Sequence, residues 1–315
     1  MRKKAVGMPF NWIFAIIAGG FILFLAIYAA GKFIKTSEQA TYTQTAASLA
    51  SLIDPLETGL VSGKSYMIPL NKKSKVFFDC DERKDPPFGR QTIAFTGQTF
   101  GNEYGETGGR VSLRNKHLFV EDVIEGKKMY FFSKPLFMPF KVTDITIIVS
   151  DSDKYCFYDS PEDIQESLEG LNLKSIVFVN ETDECSGIDV CFDNRRCDIS
   201  VDQASGLVRK NGKNLYYTGD WVYGAIFSSP KIYECNVKRV KARFNELAKI
   251  YLDKIPILER QGCRPQTGPA LRSIIGDIGG SAELGNLYNQ IDELDRLNRL
   301  ALEGCELYYN QNWDR

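Results

Sequence analysis

The side chains best suited to chemistry in this 315-residue chain are eight cysteines, one histidine and the triplet Asp151-Ser152-Asp153. The triplet follows the apolar run Ile145-Thr146-Ile147-Ile148-Val149, so it stands at the end of a buried-type strand. Two carboxylates there have the chemistry for paired nucleophile and acid roles. Asp and Ser are also ordinary turn formers, and an Asp/Ser turn between two strands is the expectation. His117, between Lys116 and Leu118, has no serine in a nucleophile turn to serve. It is expected at the surface or half-buried. The stretch Gly101–Gly109 is glycine-rich, but it carries Glu103 and Glu106 and lacks the lysine of a phosphate loop. It reads as a flexible loop without the regular spacing of a calcium loop. The expectation is therefore no metal, no cofactor and no catalytic activity.

The triplet is similar to the D-x-D of haloacid dehalogenase phosphotransferases, a resemblance that implies Asp151 as nucleophile and Asp153 as general acid. Their pattern continues with Thr or Val where this chain has Tyr155, and their downstream lysine and acidic pair are not identifiable. Metal-dependent adhesion sites use D-x-S-x-S, which Lys154-Tyr155 breaks. An extracytoplasmic carboxylate-dependent hydrolase stands as the enzymatic alternative.

The cysteines are Cys80, Cys156, Cys185, Cys191, Cys197, Cys235, Cys263 and Cys305, an even number confined to one side of the chain's apolar segment. That usage points to disulfides in an oxidising compartment. Zinc sites favour close pairs such as C-x-x-C with histidines, whereas Cys185, Cys191 and Cys197 are six residues apart. Pairing is not fixed by spacing, although a Cys263–Cys305 bridge would tie two C-terminal helical segments together. Asn180-Glu181-Thr182 is a glycosylation sequon that makes Asn180 a possible acceptor.

Residues 5–31 contain no charged side chain. About 20 apolar residues suffice to cross a bilayer as a helix. Arg2, Lys3 and Lys4 precede the segment and Lys32 and Lys35 follow it, which favours a cytoplasmic N-terminus and an extracytoplasmic C-terminal body. The stretch exceeds the apolar region of a cleaved signal, and Tyr28 interrupts its small residues. The bilayer is thus the expected partner, with other envelope or surface proteins beside it. Ala15 and Gly19, and Ala26 and Ala30, are four apart and permit close helix packing, though such residues are common in membrane helices generally.

The same N-terminus resembles type IV pilins and their archaeal relatives. Lys4-Ala5 before Val6, or Val6-Gly7 before Met8, has the look of their basic leader and cut. Asn11 lies near the position where bacterial pilins place an acid, and Pro9 sits early. The resemblance implies a surface-filament subunit.

The elements that position these residues read as a mixed α/β, α+β body. The organisation is a basic tail (1–9), a transmembrane helix (10–35), a helical neck (36–60), a β-rich region (61–143), a mixed region (144–229) and C-terminal helices (230–315). In the neck, Ala40, Ala46, Leu49, Leu52, Ile53 and Leu56 recur at helical spacing, with Pro55 and Gly59 to kink or end it. Short aromatic and branched runs over 65–70, 75–78, 91–95 and 128–132 predict an antiparallel sheet or sandwich. Ser160-Pro161-Glu162-Asp163 opens a helix between strands 155–158 and 175–179, predicting a βαβ unit. Asn211-Gly212 predicts a tight hairpin. Ser229-Pro230 starts a long helix buried through Ile232, Cys235, Val240, Phe244, Leu247 and Tyr251, which Pro256 should bend or end. Lys238, Arg239, Lys241 and Arg243 on it read as a solvated basic face. A last helix from Ser281 carries a stripe of Leu284, Leu287, Ile291, Leu294, Ala301 and Cys305, interrupted by Asn298. With 39 basic and 40 acidic residues, no field exists to attract nucleic acid.

Overall fold

The structure, a computed structural model, describes residues 10–59, 65–83, 88–99, 102–179, 185–192, 197–302 and 305–309. Asn180 lies outside the described residues.

One helix, α1 (Phe10–Gly59), spans 50 residues, and passes through Pro55. At 1.5 Å per residue it is about 75 Å long. Its two ends live in different surroundings. Phe14, Ile17, Phe21, Phe24 and Ile27 are all more than 60% exposed, and the most apolar window, of mean hydropathy 2.5, has no buried residue. From Tyr42 onward the helix turns one face inward: Tyr42, Ala46, Leu49, Ala50 and Ile53 are buried. This face differs from the expected one, because Ala40 and Leu52 point to solvent and Tyr42 and Ala50 replace them. The seat is a β-sheet, on which the Tyr42 ring packs against Phe95 with centroids 5.8 Å apart.

That sheet contains β1 (Ser65–Asp81), β2 (Arg90–Gly97), β3 (Val111–Arg114), β4 (Leu118–Phe119), β5 (Val123–Phe137) and β6 (Lys141–Ser150). Its order is β3-β2-β1-β5-β6-β4, antiparallel except for β4 beside β6. The two runs read as separate strands, 65–70 and 75–78, are one strand whose polar middle is a register irregularity between Pro69 and Ser74. The face of this sheet toward α1 forms a core of Tyr42, Ala46, Leu49, Ile53, Phe78, Ile93, Phe95 and Leu113. Burying a Leu, Ile or Phe side chain there contributes about 1.5–3 kcal/mol.

A second sheet follows: β7 (Tyr155–Tyr158), then α2 (Glu162–Glu169), β8 (Ile176–Val179), β9 (Ile188–Cys191), β10 (Ile199–Asp202), β11 (Leu207–Lys210) and β12 (Lys213–Tyr216). Its order is β12-β11-β10-β9-β7-β8. Strand β7 runs parallel to both β8 and β9, so β7-α2-β8 is a βαβ unit. Helix α2 begins one residue later than its sequence signals, with Pro161 at the cap in place of Ser160. Asn211 and Gly212 take φ of 50° and 69°, which closes the β11–β12 hairpin as a left-handed turn.

The C-terminal third is helical: α3 (Trp221–Phe227), α4 (Pro230–Arg260), α5 (Thr267–Ile274) and α6 (Leu284–Arg299). All seven residues of α3 are buried. Ser229 caps α4, its hydroxyl accepting from Ile232 N at 3.2 Å, and Pro230 occupies the first turn. The helix continues through Pro256 to Arg260 instead of ending at the proline. Helix α6 stops at Arg299, so Ala301 and Cys305 leave the expected stripe. Asn298 causes the departure usefully. Its amide donates to Tyr308 O at 2.9 Å and accepts from Leu307 N at 2.8 Å, pinning the following segment back onto the helix end.

Four disulfides join Cys80–Cys235, Cys156–Cys185, Cys191–Cys197 and Cys263–Cys305, so every cysteine is paired. The first crosses 155 residues and ties β1 to α4.

Candidate functional site

The glycine-rich segment expected to be a free loop is instead the clasp that holds the neck of α1 to the head. Tyr104 pairs with Gln98, and Gly108 N donates to Phe95 O at 3.0 Å, folding residues 102–109 back along β2. The glycines then meet the helix backbone directly. A Cβ on Gly108 would lie 2.6 Å from Thr43 N and 2.8 Å from Tyr42 C, closer than any side chain tolerates. Gly109 N donates to Thr43 Oγ1 at 2.6 Å, and Gln39 Nε2 donates to Glu106 Oε2 at 2.7 Å. Tyr42 completes the seat: its hydroxyl donates to Gly97 O at 3.3 Å, its ring centroid is 5.8 Å from that of Phe95, and Lys72 Nζ lies 5.2 Å from its centroid. Glycine is required because two backbones approach without room for Cβ. Chain separation hid this from the sequence, since the partner residues are more than 60 positions away.

The exposed half of α1 carries Ala15, Gly19, Ala26 and Ala30, all facing solvent. No atom lies within 4 Å of where a Cβ on Gly19, Gly20 or Gly31 would sit. The rod therefore leaves the clasp as a helix with its whole apolar circumference uncovered by the described residues.

Asp151 and Asp153 serve the β6–β7 turn. Asp151 Oδ1 accepts from Lys127 N at 2.9 Å and Lys128 N at 3.1 Å, while Asp153 Oδ2 accepts from Ser150 Oγ at 2.9 Å. Burial pushes the Asp153 carboxyl above its usual range. The Ser150 hydroxyl accepts from Ser152 N at 3.1 Å and Asp153 N at 3.2 Å, so it closes the turn while Asp151 ties the turn to β5.

His117 is not at the surface: it is 1% exposed. Its neighbour Leu118 is drawn inward by Gln91, which accepts from Leu118 N and donates to Leu118 O, both at 2.7 Å. Nor is the basic face of α4 solvated throughout. Arg239 and Lys241 are 1% and 2% exposed. Lys241 Nζ donates to Asn245 Oδ1, Ile274 O and Gly276 O at 2.6–2.8 Å, holding the end of α5, and burial brings its amine down to about 8. The face turns inward because α5 and the segment around Phe88 pack over it.

Cys80 and Cys235 line a groove of about 620 Å³, together with Glu82, Asp122, Lys213, Lys231, Glu234 and Lys238 among others. Its charges are largely committed: Lys231 pairs with Asp79 at 2.6 Å, Lys238 with Glu82 at 3.3 Å, and Asp122 accepts from Ser229 Oγ at 2.8 Å. Among the described residues no three His, Cys, Asp or Glu side chains gather as a metal site.

The chain matches no protein family, no curated protein and no solved structure. Its function has to be read from its own geometry. Four disulfides and an N-terminal apolar helix fit a disulfide-stabilised protein that is either anchored or secreted.

Proposed function

We propose that this chain is a single-pass, membrane-anchored protein whose disulfide-braced head stands outside the cytoplasm as a non-catalytic binding or assembly module. The observation that carries this reading is the unbroken helix α1, apolar and uncovered in its first half and clasped into the head in its second. Apolar surface of that extent is costly in water and favourable in lipid. The basic residues before the span support a cytoplasmic N-terminus, and the paired cysteines support an oxidising exterior for the head. Because the helix does not break between span and seat, the head is held at a fixed height and orientation above the bilayer. A rigid stand-off suits presentation to a partner or assembly with other surface proteins.

A second reading, a pilin-like filament subunit, draws on the same continuous rod, which would pack against rods of other copies after removal of a short basic leader. Two measurements separate these readings. Alkaline carbonate extraction should leave the protein in the membrane pellet, and mass spectrometry of the mature chain should retain the residues before Met8. Release by carbonate defeats the anchor, and a mature start at Val6 or Met8 transfers the argument to the filament subunit.

A further inference from the structure

Near the Cys80–Cys235 bridge lies a buried guanidinium that makes no ion pair among the described residues. Arg239 is 1% exposed; its Nε donates to Phe88 O at 2.8 Å and its Nη1 to Asn236 Oδ1 at 2.7 Å. Both acceptors are neutral. Its Nη2 is buried without a hydrogen-bond partner, and Arg239 makes no ion pair among the described residues. Asp81 is the carboxylate that acts on it from a distance, and that group is held by Arg83 at 2.8 Å and faces Arg90 at 3.6 Å. His117 is beside this guanidinium. Asn236, whose Oδ1 receives Arg239, donates through Nδ2 to Leu118 O at 2.7 Å, one residue from the histidine. Both ring nitrogens of His117 are buried and unpartnered.

Three buried nitrogens without hydrogen-bond partners thus sit on α4 and on the turn before β4. A water molecule would satisfy hydrogen bonds but leave the guanidinium charge unbalanced. Burying an unpaired charge is costly, and an anion in contact with it removes most of that cost. We propose that Arg239 and His117 form an internal site for a small monovalent anion of halide size. Arg239 Nη2 donates to the ion, and the imidazole N–H supplies a second donor. The anion would fasten α4 to the sheet that seats α1, which makes it a structural ligand at the junction of the two halves of the head.

The test uses the full chain in detergent at pH 7 and constant ionic strength, exchanging sodium gluconate for sodium chloride or bromide. The midpoint of thermal unfolding should rise linearly with the logarithm of halide concentration once the site begins to fill. Arg239→Gln should flatten that slope, while Lys231→Met, in an exposed ion pair, should keep it. Crystals grown in bromide should show an anomalous peak beside Arg239 Nη2. A wild-type midpoint indifferent to halide, a slope retained in Arg239→Gln, or ordinary water density without anomalous signal at that position would each overturn the site. If Arg239→Gln does not fold, the wild-type titration and the anomalous map still decide.

Discussion

Replacing Gly108 by alanine perturbs the clasp with the smallest possible change, one methyl group. That methyl would sit 2.6 Å from Thr43 N and 2.8 Å from Tyr42 C and Cβ, so loop and helix must separate by roughly 1 Å to reach ordinary contact. Overpacking of this kind costs about 1–3 kcal/mol. Separation also strains the Gly109–Thr43 bond at 2.6 Å and the Gln39–Glu106 bond at 2.7 Å. Such bonds are worth about 0.5–1.5 kcal/mol each. Alanine returns about 0.4–1 kcal/mol by stiffening the unfolded chain. The net expectation is a loss of about 2–4 kcal/mol, or some 4–16 °C in unfolding midpoint at about 2–4 °C per kcal/mol. Gly285→Ala is the control, because nothing lies within 4 Å of its Cβ position in α6, and it should be neutral or stabilising. Thermal unfolding in detergent gives the stability, and hydrogen exchange at amides 42–53 locates the change. A Gly108→Ala protein as stable as Gly285→Ala, with unaltered exchange over those amides, would refute the clasp.

Other substitutions probe the rest of the head. The Cys80–Cys235 bridge closes 155 residues and Cys191–Cys197 only 6. Loop-closure entropy then predicts losses of about 5 and about 2 kcal/mol on replacing each pair by serine, measurable as denaturation midpoints; equal losses would contradict the entropic ranking. His117 is held well below its usual range, first by burial and then by Arg239, Arg243 and Lys116. The unfolded chain therefore binds a proton that the folded one refuses once pH falls below about 6.5. Stability should decline below that pH by at most about 1.4 kcal/mol per unit. In His117→Phe this part of the acid slope should vanish, and an unchanged slope would assign it elsewhere. Lys241→Met strips the donor from Ile274 O, while Gly276 O keeps Asn245 Nδ2 at 3.0 Å. Leaving the buried Ile274 carbonyl unpaired costs about 1–3 kcal/mol, so a mutant with wild-type stability would remove this lysine from the account.

Much of the local structure was legible because local rules govern it. Asn211-Gly212 adopts the left-handed turn its residues favour, Ser229-Pro230 starts α4, and the 27 uncharged residues 5–31 sit in one continuous helix as far as they are described. Misreadings fall where distant segments decide. The all-buried α3 has no polar face, so its short run, Trp221–Phe227, shows no helical period. Asn71, Lys72 and Lys73 look like a break between strands, yet pairing with β5 resumes on both sides of them. Charge alone assigns Arg239 and Lys241 to solvent, whereas acceptors on Phe88, Asn236, Asn245, Ile274 and Gly276 hold them inside. The Gly101–Gly109 stretch announced flexibility when its lack of side chains in fact admits a helix at close range.

The central claim, a rod kept in lipid with its crosslinked head outside, meets its most direct test in thiol labelling of intact cells with a membrane-impermeant maleimide polymer. Before reduction no label should attach; after a mild impermeant reductant and unfolding at the surface, all eight cysteines should become reactive without permeabilisation. Labelling without reductant, or labelling that appears only after the membrane is breached, would contradict it.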